Sequence, residues 1–251
     1  MELTNRTVLI VGGTSGIGFG LARRFAEVGN TVIVGGRTTD RVTDLEMVTI
    51  DVTDPDSIAA ARDDVLTRHP DLDVVVTMSG VMLIEDLRDP GHIANAEATI
   101  DVNVLGTIRT IDAFTPHLLN RRKGTIITVS SGIAFLPFPL MPTYGASKAA
   151  VHAYTESLRA QMSGTGIEVL ELVPPAVATE PRQKEMNPAA LDLDDYLTEV
   201  WELLSAEPTA QEILVKTVQQ HRWAERDGTY AELVERRSAS LQSLPGRAAE
   251  S

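Results

Sequence analysis

Apolar and polar positions change period along the chain. Thr7–Val11 is a short β-branched run, and residues 17–28 space their apolar side chains at helical intervals up to Gly29, a residue suited to a C-terminal cap. The alternation continues. Residues 31–34, 48–50, 73–76, 125–129 and 167–173 read as strands, and residues 55–68, 100–119 and 144–162 as helices. Asp54 and Pro55 give the helix over 55–68 an N-cap and a first-turn proline. Near-continuous Val/Ile/Leu strands separated by helices predict one α/β domain: a doubly wound parallel sheet of about six strands, covered on both faces in three layers. Such a sheet binds ligands outside the carboxyl ends of its strands. A glycine turn follows the first strand, Ser130-Ser131 the fifth and Pro174-Pro175 the sixth, so all three are expected on that one edge.

The link from Arg37 to Ile50 has little room for a crossover helix, which predicts a turn or a helical stub. Residues 180–195 are polar, acidic and proline-containing and suit a mobile substrate flap, and residues 196–237 read as two or three amphipathic helices. The small, polar residues 238–251 are expected to form a flexible tail. No internal repeat is present.

Composition narrows the function. A chain of 251 residues with 43% apolar residues buries a sizeable core, and the absence of cysteine excludes disulfides and thiolate chemistry. A formal charge of −13 argues against nucleic-acid and anionic-membrane partners, which need clustered Lys and Arg. No stretch has the length of a membrane span or the form of a signal peptide, so a cytoplasmic protein is expected. His69, His117 and His221 fall on helices without ligand partners, so no metal is expected; His92 and His152 read as surface or packing residues.

Three motifs carry chemistry. In Gly12-Gly13-Thr14-Ser15-Gly16-Ile17-Gly18, Gly12 permits a tight turn, Gly16 admits a pyrophosphate and Gly18 lets helix and strand pack closely, with Thr14, Ser15 and Ile17 completing the cradle at the helix N-terminus. The spacing differs from G-x-G-x-x-G, and an ordinary strand–turn–helix junction is the alternative. The second strand ends Val34-Gly35-Gly36-Arg37, with a guanidinium where a carboxylate would hold the ribose hydroxyls of NAD. This favours NADP(H) over NAD(H). Asp51-Val52 after the third strand would meet the adenine edge, or Asp51 would serve the next helix start. Third, Tyr144 and Lys148 share a helix face. A nearby cation favours phenolate, bringing a group of pKa about 10 toward working pH. Ser131, on the same sheet edge, would polarise the oxygen that Tyr144 protonates, and Ser130 would serve the backbone.

In this order and spacing the motifs resemble the short-chain dehydrogenase/reductase family of the single-domain YxxxK kind, over roughly residues 5–180. The resemblance implies a Rossmann-like fold. It makes Tyr144 the acid/base, Lys148 the ribose-binding cation that lowers the tyrosine pKa, Ser131 the carbonyl-orienting hydroxyl and Asn103 the holder of a relay water. Ser79, Gly80, Pro174, Val177 and Thr179 join the cofactor site, with Thr179 at the carboxamide. The stretches Val173-Pro174-Pro175-Ala176-Val177 and Ala224 to Tyr230 are similar to the DltE-like branch. Three departures stand out. Thr77-Met78-Ser79-Gly80 replaces Asn-Asn-Ala-Gly, Val11 replaces Thr, and the usual C-terminal strand ending in Asp-Gly-Gly is absent. Six parallel strands with a helical C-terminal extension are therefore expected. The resemblance also implies a homo-oligomer, paired through the helices at 100–119 and 144–162.

The reading is an oxidoreductase acting with NADP(H) on a small-molecule carbonyl or alcohol. A nucleotide-binding regulator, or an isomerase or dehydratase using transient oxidation, are the alternatives. Phe135, Phe138, Leu140 and Met141 either line an apolar pocket or pack their loop, and Trp201 and Trp223 are expected to anchor helices.

Overall fold

A computed structural model describes residues 1–38 and 42–246. β1 (Thr7–Val11) passes through α1 (Gly16–Glu27) to β2 (Thr31–Gly36) and β3 (Glu46–Thr49). α2 (Pro55–Arg68) leads to β4 (Val74–Thr77), and α3 (Ile93–Ile100) and α4 (Gly106–Arg121), joined by a π-turn over Asp101–Leu105, lead to β5 (Gly124–Val129). α5 (Pro142–Met162) precedes β6 (Ile167–Leu172). Beyond it lie β7 (Val177–Ala178), α6 (Pro181–Met186), β8 (Leu191–Asp192), α7 (Leu193–Ser205), β9 (Glu212–Ile213), α8 (Lys216–Arg222) and α9 (Tyr230–Ser238).

Seven strands form one parallel sheet in the order β3-β2-β1-β4-β5-β6-β9. β1 pairs with both β2 and β4, so the winding reverses between β1 and β4 and opens a crevice at their carboxyl ends. Strand alternation divides the core into two. Val8, Ile10, Val34 and Val76 face α1 and α7 through Leu21, Phe25, Leu197 and Val200. Leu9, Val11, Ile33 and Val75 face α2, α4 and α5 through Ile58, Phe114 and Leu158. With both faces covered, all five residues of β1 are buried, which is why Val8–Val11 is a continuous aliphatic run and not alternating. Trp201 anchors α7 edge-on against Phe25, with ring centroids 5.1 Å apart.

The doubly wound architecture is as expected, but several boundaries are corrected. The sheet gains a seventh strand, β9, whose two residues pair with Glu171 and Leu172; two residues carry no readable period, and the segment was expected to be helical. The helix expected from Ile100 begins at Ile93 in an Ala-rich turn with little apolar contrast. The link between β2 and β3 shows no helix among its described residues; residues 39–41 lie outside them. Residues 180–195 carry α6 and β8, and β8 pairs in parallel with β7 just before them. The expected tail begins with a 3-10 turn over Ala239–Ser243 followed by a buried Leu244, while residues 247–251 lie outside the described residues.

Candidate active site

The glycine turn, the serine pair and the proline pair meet on the carboxyl edge of the sheet. Gly12 holds φ +89, and a Cβ there would lie 2.4 Å from Ser79 N, so only glycine fits where the β1 turn crosses the β4 loop. Gly16 sits at φ +53 with the Thr179 methyl 3.1 Å from where its Cβ would be. A Cβ on Gly18 would lie 2.4 Å from the Gly12 carbonyl, which is the close helix–strand approach expected there. Ser15 caps α1 in extended backbone and makes no side-chain cap bond, so its hydroxyl and the first N–H groups of α1 are available to an anion. The Thr14 methyl leans on Gly36 at the end of β2, and Ile17 packs on the core beneath. This cradle fits a dinucleotide pyrophosphate.

Arg37 is exposed just beyond β2. Asp51 Oδ1 accepts from Thr53 N at 2.9 Å and Thr53 Oγ1 at 2.7 Å. These bonds, with Arg37 adding its charge, hold the Asp51 carboxyl below its ordinary range. The carboxylate thus organises the turn before α2 while facing the same corner as Arg37. Val52 is buried against Gly106. Ser79 backs onto Gly12, and a Cβ on Gly80 would stand 3.4 Å from Asn103 Oδ1 and 3.8 Å from Lys148 Nζ, which leaves open space in front of the amine. Thr77 Oγ1, at the first position of Thr77-Met78-Ser79-Gly80, is buried without a hydrogen-bond partner among the described residues. Pro174 O accepts from Gly132 N at 2.9 Å and Ser131 Oγ at 3.2 Å, while Val177 begins β7 and Thr179 binds Gln183 Oε1 through its N–H and hydroxyl.

The structure brings Tyr144, Lys148, Ser131 and Asn103 together. α5 presents Tyr144 and Lys148 on one face, with Nζ 5.8 Å from the phenol ring centroid. Lys148 Nζ donates to Val129 O at 2.8 Å, its single hydrogen bond among the described residues. Burial pulls the amine down to about 8. Burial also pushes the Tyr144 phenol up to about 12, opposed by the Ser131 hydroxyl beside it. The expected lowering of the phenol is therefore not produced by the chain's own groups, because desolvation of the phenolate outweighs them. Asn103 sits fully buried in the π-turn, a feature frequent at functional sites. Its amide donates to Val81 O and Ser147 Oγ at 3.0 Å each and accepts from Val81 N at 2.8 Å. Ser147 Oγ donates on to Tyr144 O at 2.7 Å, so Asn103 ties the β4 loop to α5.

Two buried acids near the site were not anticipated. Glu85 Oε2 accepts from Thr143 N and Oε1 from Thr143 Oγ1, both at 2.9 Å, capping α5 one residue before Tyr144 from the β4 loop. Glu171, in β6, faces His152 Nδ1 at 2.9 Å and binds Ser130 Oγ, so Ser130 serves a carboxylate and not the backbone. An acid inside the run Ile167–Leu172 was the available signal, since a carboxylate in a buried strand demands a partner. Glu85 had no such signal. Phe135 is packed edge-on against His152 at 4.7 Å and beneath Arg222 at 4.5 Å, and so packs its loop.

The family model described as short chain dehydrogenase matches residues 6–189. DltE of Bacillus subtilis (strain 168), an uncharacterized oxidoreductase, is 35% identical over 199 residues, 76% of this chain and 79% of that protein. Sulfoacetaldehyde reductase 2 of Chromohalobacter salexigens is 31% identical over 184 residues, 69% of this chain and 73% of that protein. Among solved structures, a short chain dehydrogenase from Burkholderia cenocepacia J2315 in complex with NADP superposes with a TM-score of 0.81 at 26% identity, covering 93% of this chain and 99% of that one. Serine dehydrogenase from Escherichia coli gives 0.69 at 26% identity, covering 80% and 91%. No helix among the described residues is long and apolar enough to cross a membrane.

Proposed function

The chain belongs to the short chain dehydrogenase family, oxidoreductases whose fold binds a nicotinamide cofactor, and from that premise we propose that it reduces a small ketone or aldehyde with NADPH, or oxidises the corresponding alcohol. The observation that carries the reading is a half-buried phenol, its pKa pushed up by its surroundings, with a hydroxyl beside it and a buried amine one helical turn away. When bound, the reduced nicotinamide supplies hydride to the carbonyl carbon. The chain's own groups handle the oxygen. Ser131, its hydroxyl turned from Pro174 O, donates a hydrogen bond to it, and Tyr144 gives up its proton as negative charge develops. Lys148 Nζ keeps N–H donors beyond its bond to Val129 for the ribose hydroxyls and presents positive charge to a forming phenolate. Gly12, Thr14, Ser15, Gly16, Ile17 and Gly18 hold the pyrophosphate. Ser79, Gly80, Pro174, Val177 and Thr179 border the rest of the nucleotide, and Asn103 braces α5 through Ser147 and is the residue expected to hold a relay water.

Arg37 supports the choice of NADPH, since it is the cation at the end of β2 and Asp51, the nearby acid, is already engaged by Thr53. The NADP complex of the Burkholderia relative points the same way. The substrate class is a small carbonyl compound or alcohol, for which sulfoacetaldehyde and serine, named in two relatives, are starting points in a substrate panel. Assembly as a homodimer through α4 and α5, the pairing the family resemblance implies, would also cover Ile93 and Ile100 of α3 and Leu105 of the π-turn, which stand 55%, 37% and 41% exposed.

The test follows reduced-nicotinamide absorbance with a panel of ketones and aldehydes. Tyr144→Phe should lower kcat by about 10²–10⁴ while NADPH still binds with nearly unchanged affinity. Wild-type turnover by that variant would end the mechanism.

A further inference from the structure

A second polar cluster lies one helical turn beyond Lys148. Glu171 is fully buried at the penultimate position of β6, in a sheet layer built from aliphatic side chains. His152 Nδ1 meets its two oxygens at 3.1 and 2.9 Å, and Ser130 Oγ donates to Oε1. His152 continues the stripe of Tyr144 and Lys148 at the next i+4 position on α5. The other charged groups around it are accounted for. Glu212 of β9 is paired in a fork with Arg222 at 2.7 and 3.0 Å, and Glu156 Oε1 stands 3.8 Å from His152 Nε2. Arg159 is spent on backbone carbonyls of Val169 and Gln211. His152, Glu171 and Glu212 offer ligand atoms within 4.8 Å of one another, but each carboxylate already has a nitrogen partner, His152 for Glu171 and Arg222 for Glu212.

The position of the cluster gives it meaning. Three consecutive residues at the end of β5 face the catalytic helix or its neighbours. Val129 O takes the Lys148 amine at 2.8 Å, Ser130 Oγ goes to Glu171, and Ser131 Oγ lies beside the Tyr144 phenol. One turn further along α5, Thr155 Oγ1 meets Thr128 Oγ1 at 2.8 Å. A polar seam therefore joins α5 to the carboxyl ends of β5 and β6 where aliphatic packing, which tolerates sliding, would otherwise be expected. Hydrogen bonds to an ionised group are the directional members of such a seam.

We propose that Glu171 and His152 are positioning residues for the catalytic serine and lysine: clamped between β6 and α5, they fix the Val129–Ser131 segment against the helix that carries Tyr144 and Lys148. The proposal rests on the reading of Tyr144, Ser131 and Lys148 as the reacting set. A misplacement near 1 Å in such a set costs about 10²-fold in rate, so a group that never touches substrate can govern turnover.

The test compares wild type with Ser130→Ala, Glu171→Gln, the double variant and Tyr144→Phe, using NADPH and a carbonyl from the panel that is turned over. Glu171→Gln and Ser130→Ala should each lower kcat tenfold or more and move the pH midpoint of kcat, with the KM for NADPH within twofold and the thermal transition above assay temperature. The double variant should be no slower than Glu171→Gln alone, because Ser130 acts through that carboxylate. Folded variants with wild-type kcat and pH profile, or fully additive losses, would overturn the inference. If Glu171→Gln does not fold, Ser130→Ala carries the test, since it deletes one hydroxyl. If no panel compound is turned over, crystal structures decide. The Lys148 Nζ–Val129 O contact should open in Ser130→Ala; its persistence at 2.8 Å refutes the clamp. Tyr144→Phe separates the two readings. An active Tyr144→Phe defeats the catalytic assignment, whereas an inactive one beside an unimpaired Ser130→Ala defeats only the positioning role.

Discussion

Replacing Lys148 by methionine should make the cofactor-free protein more stable and the enzyme worse. Burial holds the amine at about 8, down from the ordinary 10.5. Below pH 8 the folded chain carries a charge that the unfolded chain carries more easily, and at 1.36 kcal/mol per pH unit the penalty is on the order of 3 kcal/mol. The sign follows from the depressed value: the penalty is complete below the folded pKa and fades as pH rises toward 10.5, where neither state keeps the proton. Methionine removes the penalty but leaves Val129 O without its donor, a loss of about 1 kcal/mol. A net gain of about 2 kcal/mol at pH 7, reversing to a small loss near pH 11, should appear in denaturant titrations without cofactor. Cofactor binding should move the other way. In the proposed complex the amine donates to the ribose hydroxyls, and methionine offers no donor in its place, so NADPH should bind about 10-fold or more weakly in fluorescence titrations. A variant less stable than wild type at pH 7 would refute the burial argument, and an unchanged NADPH affinity would refute the cofactor role.

Other expectations are simpler. Arg37→Ala should weaken NADPH by about 10–100-fold, the worth of charge-assisted hydrogen bonds to one phosphate, and leave NADH nearly unchanged in fluorescence titrations; equal losses would refute the cofactor choice. His152 is raised above its ordinary 6.5, chiefly by its hydrogen bond to Glu171. A raised histidine stabilises fully below its unfolded pKa and loses that contribution as pH climbs through the folded one. The stability gap between wild type and His152→Gln should thus be wider at pH 6 than at pH 9, and a gap independent of pH would argue against the pair. Gly12→Ala meets both a positive φ of +89 and a backbone atom 2.4 Å away. A loss of about 3 kcal/mol or more is expected; a soluble variant with wild-type melting temperature would show that the turn can move.

The reacting set was legible because its parts are local. Tyr144 and Lys148 are neighbours by helix periodicity alone, and Gly12, Gly16 and Gly18 by the demands of one turn. The edge on which Ser131, Gly12 and Pro174 meet followed from a parallel winding, since every strand then points its carboxyl end the same way. Glu85, Glu171 and β9 were not legible as partners, because each acquires its role from a segment distant in sequence. Glu85 reaches Thr143 across 58 positions, and Glu171 reaches Ser130 across 41.

By itself, then, the order of apolar periods determined the doubly wound sheet, because strands buried on both faces and helices buried on one leave different traces in the chain. Residue type and spacing likewise singled out the groups proposed to handle the proton. What only the tertiary structure decided was their protonation and their bracing. How deeply Tyr144 and Lys148 are withdrawn from water, and which buried acid meets which donor, depend on packing among elements far apart in the chain, and desolvation has no signature in a local pattern.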